Sequence, residues 1–231
     1  MQIVFLCGGL GTRLRDINKD CPKGLLKING IPFFEYIINS ILPYQPSSFH
    51  FCLGHKSEQY LEFIKKLNTK TKITFSCEEN NNLLGTGGAI KNALRFLNKD
   101  FIVQYGDTIL DFNYKKFFDF HLEQDKDMTM TILDKEKTDE TPNLFCRKVD
   151  NIFNCVYKKV DPFENSNYID YGALAFKKSV FNEFKKKKFD LSEIQTTLSV
   201  NNKATFFEVE KNYIEIGNIK SYKNAINLLK K

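Results

Sequence analysis

The chain begins with an apolar run, Ile3-Val4-Phe5-Leu6, that passes directly into Cys7-Gly8-Gly9-Leu10-Gly11-Thr12-Arg13. This junction constrains the fold more than any other stretch. Four consecutive apolar residues without alternation suit a strand buried on both faces, the situation of a parallel sheet covered by helices. Three glycines directly after the strand let the backbone turn sharply and bring its N–H groups close to a ligand. Successive amides of this kind form an anion cradle. Thr12 adds a hydroxyl, Arg13 a permanent cation whose planar fork suits phosphate oxygens, and Lys23 a point charge ten residues later. The combination points to a polyphosphate. A glycine-rich turn with a solvated arginine is the plain alternative.

Two better-known phosphate loops do not fit. Counting from Gly9 gives Gly9-Leu10-Gly11-Thr12-Arg13-Leu14, which lacks the third glycine of a dinucleotide fingerprint. No G-x-x-x-x-G-K-[ST] run occurs in the chain.

The remainder of the first half alternates short apolar runs with helical periodicity. Strands are expected at Phe49–Leu53, Ile73–Cys77 and Phe101–Tyr105. Helices are expected after Pro32, from a Ser57 cap, and from Gly87 or Gly88. A βαβαβαβ order implies a Rossmann-like α/β fold, three-layered, with a mixed, mainly parallel sheet. The second half changes character. Hairpin strands at Asn143–Lys148 and Ile152–Lys159 joined at Asp150-Asn151, and a long strand at Tyr168–Phe176, suggest a smaller, partly antiparallel lobe. The expectation is one domain over residues 1–231, with one half at 1–135 and a second at 136–231.

In open α/β sheets ligands lie beyond the carboxyl ends of the strands. Three loops fall there: 7–13, 78–88 and 106–108. Asp107 follows an apolar strand directly, where a carboxylate can bridge Mg²⁺ to phosphate oxygens. Gly85-Thr86-Gly87-Gly88 stands between a strand and a helix. It reads either as a loop facing a flat base or as a helix start with glycines for close packing.

Gly8-Gly9-Leu10-Gly11-Thr12-Arg13, eight residues, then Pro22-Lys23 resembles the signature of the sugar-1-phosphate nucleotidyltransferases. Leu25–Phe33, Leu84–Ile90 and Gly106-Asp107-Thr108 continue the likeness in order. Gly85-Thr86-Gly87-Gly88 and the short length look most like the heptose 1-phosphate and mannose 1-phosphate guanylyltransferase subgroup. The resemblance implies transfer of a nucleotidyl group from a nucleoside triphosphate, GTP favoured, to a sugar 1-phosphate. It makes Arg13 and Lys23 catalytic. It assigns nucleotide binding to Leu6, Gly8, Gly9, Gly11, Thr12, Gly85, Thr86 and Gly88. It also assigns the sugar phosphate to Lys159, in Tyr157-Lys158-Lys159, and to Asp170 and Gly172, in Asp170-Tyr171-Gly172. Mg²⁺ would be held by Asp107 and by a second acid late in the chain. There Glu215 stands where the family carries Asp, which moves the carboxylate outward by ~1.5 Å, one C–C bond. Gly24, where relatives have Pro or Ala, is expected to loosen the loop. Two alternatives stay open: cytidylyl or uridylyl transfer to another phosphorylated acceptor, and a non-catalytic nucleotide-sugar-binding subunit.

Composition narrows the partners. Net charge is +6, and the one basic run, Lys185 to Lys188, lacks interleaved aromatics, so a solvated helix end is favoured over a nucleic-acid site. No apolar run reaches membrane-spanning length, and Met1-Gln2-Ile3 starts a strand without a basic leader, so a cytoplasmic protein is expected. No acyltransferase-type domain is expected after Leu229. A homodimer is admissible. The six cysteines show no C-x-x-C spacing and read as reduced thiols, mostly in the core.

Overall fold

The computed structural model of the chain describes residues 1–14, 17, 20–79 and 82–230. Parts of the spacer between Arg13 and Pro22, and of the 78–88 loop, lie outside them. The strands are β1 Gln2–Cys7, β2 Lys27–Ile28, β3 Ile31–Pro32, β4 Ser48–Leu53, β5 Lys72–Cys77, β6 Asp100–Tyr105, β7 Thr108–Ile109, β8 Met128–Asp134, β9 Leu144–Val149, β10 Ile152–Tyr157, β11 Tyr168–Lys177, β12 Ala204–Val209 and β13 Ile214–Glu215. The helices are α1 Phe33–Ile41, α2 Ser57–Lys66, α3 Gly85–Ala93, α4 Tyr114–Glu123, α5 Ser179–Glu183, α6 Leu191–Val200 and α7 Ile219–Leu228.

A nine-stranded sheet runs β10-β9-β11-β6-β1-β4-β5, with β8 paired to β11 and β12 to β8. β6, β1, β4 and β5 are mutually parallel, and β11 closes antiparallel onto β6. β1 lies inside the parallel block and all six of its residues are buried. Val4 and Leu6 enter one hydrophobic cluster, while Ile3, Phe5 and Cys7 enter the other. This two-sided burial is why the strand reads as a continuous apolar run. Phe5 meets Phe34 edge-on at 4.9 Å and tilts against Phe49 and Phe51 at 5.5 and 5.3 Å, so α1 is clamped to the sheet by interlocking rings.

α1 buries Phe33, Phe34, Ile37, Ile38 and Ile41. Local signals differ from the expectations in two places. Ser57 begins α2 without capping it. Lys56, in the left-handed region at φ 56°, occupies the cap position. α3 starts at Gly85, two or three residues earlier than expected. The hairpin turn is as the sequence suggests, with Asp150 and Asn151 at φ 48° and 62°, the pair of positive values a two-residue turn needs.

That hairpin overturns one expectation. Cys146 and Cys155 are direct partners across β9 and β10, and they form a disulfide. Spacing alone gave no hint, because the pairing comes from strand register rather than a C-x-x-C motif. Cys7 and Cys52 are buried free thiols, but Cys77 is exposed and lies outside the core. Among the described residues, no helix is long and apolar enough to cross a membrane.

Candidate active site

A cavity of about 350 Å³ opens at the carboxyl ends of β1, β5 and β6. Its walls come from the first glycine loop, Lys23-Gly24, Glu78, the start of α3 and Gly106-Asp107. Leu6 and Gly217, 211 positions apart, therefore share one site, assembled where the strand-end loops of the parallel block gather at one sheet edge.

Leu6, Gly8, Gly9, Gly11, Thr12 and Arg13 all line this cavity. Gly11 takes φ +60°, and its carbonyl accepts the Leu14 N–H at 3.0 Å, closing a short helical turn over Thr12–Leu14. Leu14 is fully buried and anchors that turn, while Thr12 and Arg13 stay exposed on its outer side. Arg13 makes no ion pair among the described residues.

Lys23 follows Pro22 in a second short helical turn. Its Nζ donates to Asp107 Oδ2 at 2.5 Å, and Asp107 Oδ1 accepts from Thr108 Oγ1 at 3.1 Å. The Lys23 side chain is 15% exposed and that of Asp107 32%, so the pair is only partly screened. Gly24 corrects the expected loosening. It is buried, and a Cβ there would stand 2.6 Å from the Tyr60 hydroxyl, 2.7 Å from the Gly106 carbonyl oxygen and 3.1 Å from the Phe34 ring. The absent side chain lets the lysine turn dock tightly against the β6 end that carries Asp107.

The late acid reaches the same corner through a ribbon. β13 pairs antiparallel with β7, setting Glu215 opposite Thr108, and Ile216 N–H donates to the Asp107 carbonyl at 3.1 Å. Gly217 lines the cavity, and a Cβ on it would lie 2.7 Å from both Glu215 carboxylate oxygens. The longer side chain of Glu215 therefore folds back over Gly217 rather than projecting straight out. Asp107 lines the cavity and Glu215 does not; carboxylate oxygens of this kind are the donors a hard cation takes, with phosphate oxygens and water completing its shell. No cluster of three or more His, Cys, Asp or Glu suited to a metal occurs among the described residues.

The Gly85–Gly88 stretch serves packing more than the sequence suggests. Gly85 takes φ +75°, and a Cβ there would stand 2.6 Å from the Phe189 carbonyl oxygen. The N–H groups of Gly87 and Gly88 donate to that carbonyl at 3.0 and 3.2 Å, so these amides do not face a base. Gly87 lies under the Phe189 ring, and Gly88 abuts the Lys187 carbonyl away from the cavity lining. Gly85 and Thr86 do line the cavity, although Thr86 Oγ1 already accepts the Leu191 N–H at 2.8 Å. The Lys185–Lys188 run lies just before Phe189 in the segment between α5 and α6, with Lys186 paired to Glu193 at 2.5 Å.

On the second lobe, Lys158 is engaged by Asp161 at 3.2 Å and lies over the Phe163 ring. Lys159 is exposed, and its charge acts on Asp170. Asp170 and Gly172 occupy an irregularity in the β11–β8 register, where Gly172 takes φ +105° and donates its N–H to Asp170 Oδ1 at 3.0 Å. Burial raises the Asp170 pKa, opposed by the Gln195 and Gly172 hydrogen bonds and by Lys159.

The model of the family described as nucleotidyl transferase matches residues 2–231. The chain belongs to the nucleotidyl transferase family. It is 31% identical over 194 residues, 84% of each chain, to the D-glycero-alpha-D-manno-heptose 1-phosphate guanylyltransferase of Campylobacter jejuni. The crystal structure of HddC from Yersinia pseudotuberculosis complexed with GMP-PN superimposes with a TM-score of 0.80 at 28% identity, covering 99% of both chains. A putative glucose-1-phosphate thymidylyltransferase from Bacillus anthracis shares the fold, with a TM-score of 0.77 at 19% identity over 99% of this chain and 94% of that one.

Sequence reading passed over several residues of this nucleotidyl transferase's cavity. Glu78 lines it, and its Oε2 accepts the Leu84 N–H at 2.9 Å. Burial raises the Glu78 pKa against the effect of that bond. Tyr105 lines the cavity too. Burial and the nearby charge of Asp170 push its phenol up, so it stays a neutral donor. Asp190 also lines the cavity and opens α6 in a capping box with Glu193. The Asp190-x-x-Glu193 spacing carried that signal. Cys7 borders the cavity, but burial drives its thiol well up, away from the reactive thiolate.

Proposed function

We propose that this nucleotidyl transferase moves a guanylyl group from GTP to a sugar 1-phosphate of the heptose or mannose type, releasing pyrophosphate. The observation that carries the reading is the meeting of the Gly8–Arg13 loop with the Lys23–Asp107 ion pair in one cavity. A phosphate oxygen of the acceptor attacks the α-phosphorus in line, and no covalent protein nucleophile is required. The work of the protein is to bring two anions together and to stabilise the charge that develops.

In this reading the first glycine loop cradles the triphosphate. Arg13 grips the β and γ oxygens and steadies the leaving pyrophosphate. Lys23 transfers its ammonium from Asp107 to the α-phosphate as the substrate enters. Mg²⁺ on Asp107, and on Glu215 directly or through water, would supply neutralisation of phosphate oxygens. Lys159 seats the acceptor phosphate, and Asp170 accepts hydrogen bonds from acceptor hydroxyls beside Gly172. Gly85 and Thr86 border the base. Glu78 supports guanine: a half-buried carboxylate accepts from the adjacent N1–H and N2–H of that base, which cytosine, uracil and thymine cannot offer together. The two guanosine-linked relatives point the same way.

The test is pyrophosphate release across GTP, ATP, CTP and UTP with heptose, mannose, glucose and N-acetylhexosamine 1-phosphates, with Mg²⁺ and with chelator. The expected result is one strong guanosine pair, lost with chelator and in K23A and D107A. Turnover confined to CTP or UTP, or none with any sugar 1-phosphate beside turnover in a parallel arm of CTP and a phosphorylated alcohol, would overturn the proposal.

A further inference from the structure

Gln195 is a polar residue in an apolar setting. It lies on the buried face of α6 with Leu191, Ile194 and Leu198, and is 1% exposed. A leucine or methionine would fill that place without the cost of burying an amide. The amide instead reaches across to β11, where its Nε2 donates to Asp170 Oδ2 at 2.7 Å. The other oxygen, Oδ1, accepts the Gly172 N–H at 3.0 Å. Each carboxylate oxygen therefore holds one internal hydrogen bond and keeps a further lone pair for a ligand. The Asp170 backbone is pinned as well, its N–H donating to Asn143 Oδ1 at 2.9 Å.

The helix that carries Gln195 touches three segments. At its first turn the Leu191 backbone N–H donates to Thr86 Oγ1 beside the nucleotide cavity. Gln195 holds Asp170. Ser199 Oγ accepts the Tyr157 N–H at 3.1 Å, two residues before Lys159. Gln195 and Ser199, four apart, share one helix face, so α6 sets the spacing between these three segments.

We propose that Gln195 is a positioning residue for the acceptor: it locks the Asp170 carboxylate in the orientation that receives hydroxyls of the sugar phosphate, while α6 holds that carboxylate in register with the nucleotide loop. The inference rests on the reading above that Asp170 faces the acceptor.

The experiment is steady-state pyrophosphate release with GTP and heptose 1-phosphate for wild type, Q195M and D170N, each substrate varied in turn. Methionine keeps the volume and removes the donor. Q195M is expected to raise the acceptor KM about tenfold or more, as expected when a hydrogen bond to a charged group is lost. The GTP KM stays within about twofold, since the triphosphate contacts lie on other elements. An unchanged acceptor KM in Q195M, beside a raised one in D170N, overturns the role of Gln195 and leaves the acceptor site intact. An unchanged acceptor KM in both variants removes the acceptor from Asp170, and the inference falls with it.

A second readout needs no substrate: carboxyl-carbon NMR titration of Asp170. The charged or titratable groups facing Asp170 are Lys159, Tyr105, Tyr157 and Tyr213, and Q195M leaves them all in place. The Asp170 pKa is expected to rise in Q195M, because the amide favours the ionised form. An unshifted titration overturns the proposal. If Q195M does not fold, Q195E carries the same kinetic comparison, with two carboxylates facing each other and the acceptor KM again raised.

Discussion

Replacing Gly24 by alanine isolates the packing that sets the Lys23–Asp107 geometry. The new methyl would lie 2.7 Å from the Gly106 carbonyl oxygen and 2.6 Å from the Tyr60 hydroxyl. Ordinary contacts begin near 3.4 Å, so each is short by several tenths of an ångström. Neither neighbour gives way easily. Gly106 N–H is tied to the Leu6 carbonyl at 3.1 Å, and Tyr60 is buried at 3% exposure beside Phe34. The lysine turn must therefore move. Overpacking of this kind costs about 1–3 kcal/mol. The stiffer unfolded chain returns roughly 0.4–1 kcal/mol. The net loss, about 1–2 kcal/mol, corresponds to a fall in Tm of about 2–8 °C for a chain of this size. Lys23 is displaced by a fraction of an ångström, so kcat is expected to fall about 10- to 100-fold. Differential scanning fluorimetry and pyrophosphate release check both numbers. Gly24 has no left-handed φ, so backbone strain does not confound the result. Wild-type Tm and kcat in G24A would refute the argument that close docking at Gly24 orients the ion pair.

E78Q is expected to weaken GTP by about tenfold in KM, the loss of a hydrogen bond to a charged group, and to relax the preference for guanine; an unchanged nucleotide profile would remove Glu78 from base reading. The Cys146–Cys155 disulfide closes a short loop, so the double serine variant is expected to lose roughly 2–3 kcal/mol in a urea melt, and reduction of the wild type should match it. Burial lowers the His50 pKa from 6.5 to about 4 in the folded state. The unfolded chain then binds the extra proton first as pH falls. Stability is expected to drop by about 3 kcal/mol between roughly pH 6.5 and 4, and that slope should flatten in H50Q.

Much of this fold follows from short-range signals. The Ile3–Leu6 run, the paired positive-φ turn at Asp150-Asn151 and the glycines before Thr12-Arg13 are local choices of backbone and burial, legible because strand and helix periods repeat within a few residues. The order of the loops along the chain also announces the cavity, since strands of a parallel sheet all deliver their ends to one edge. What the tertiary structure alone decides are contacts between distant residues. Lys23 meets Asp107 across 84 positions and Thr86 meets Leu191 across 105. The purpose of Gly24 depends on Tyr60 and Gly106, and that of Gly87 on the Phe189 ring. Cys146 finds Cys155 through strand register, and the fold of Glu215 over Gly217 depends on a two-residue ribbon with β7. Such pairings have no period in the sequence. They arise when separately legible elements pack and each side chain takes the neighbours that packing leaves to it.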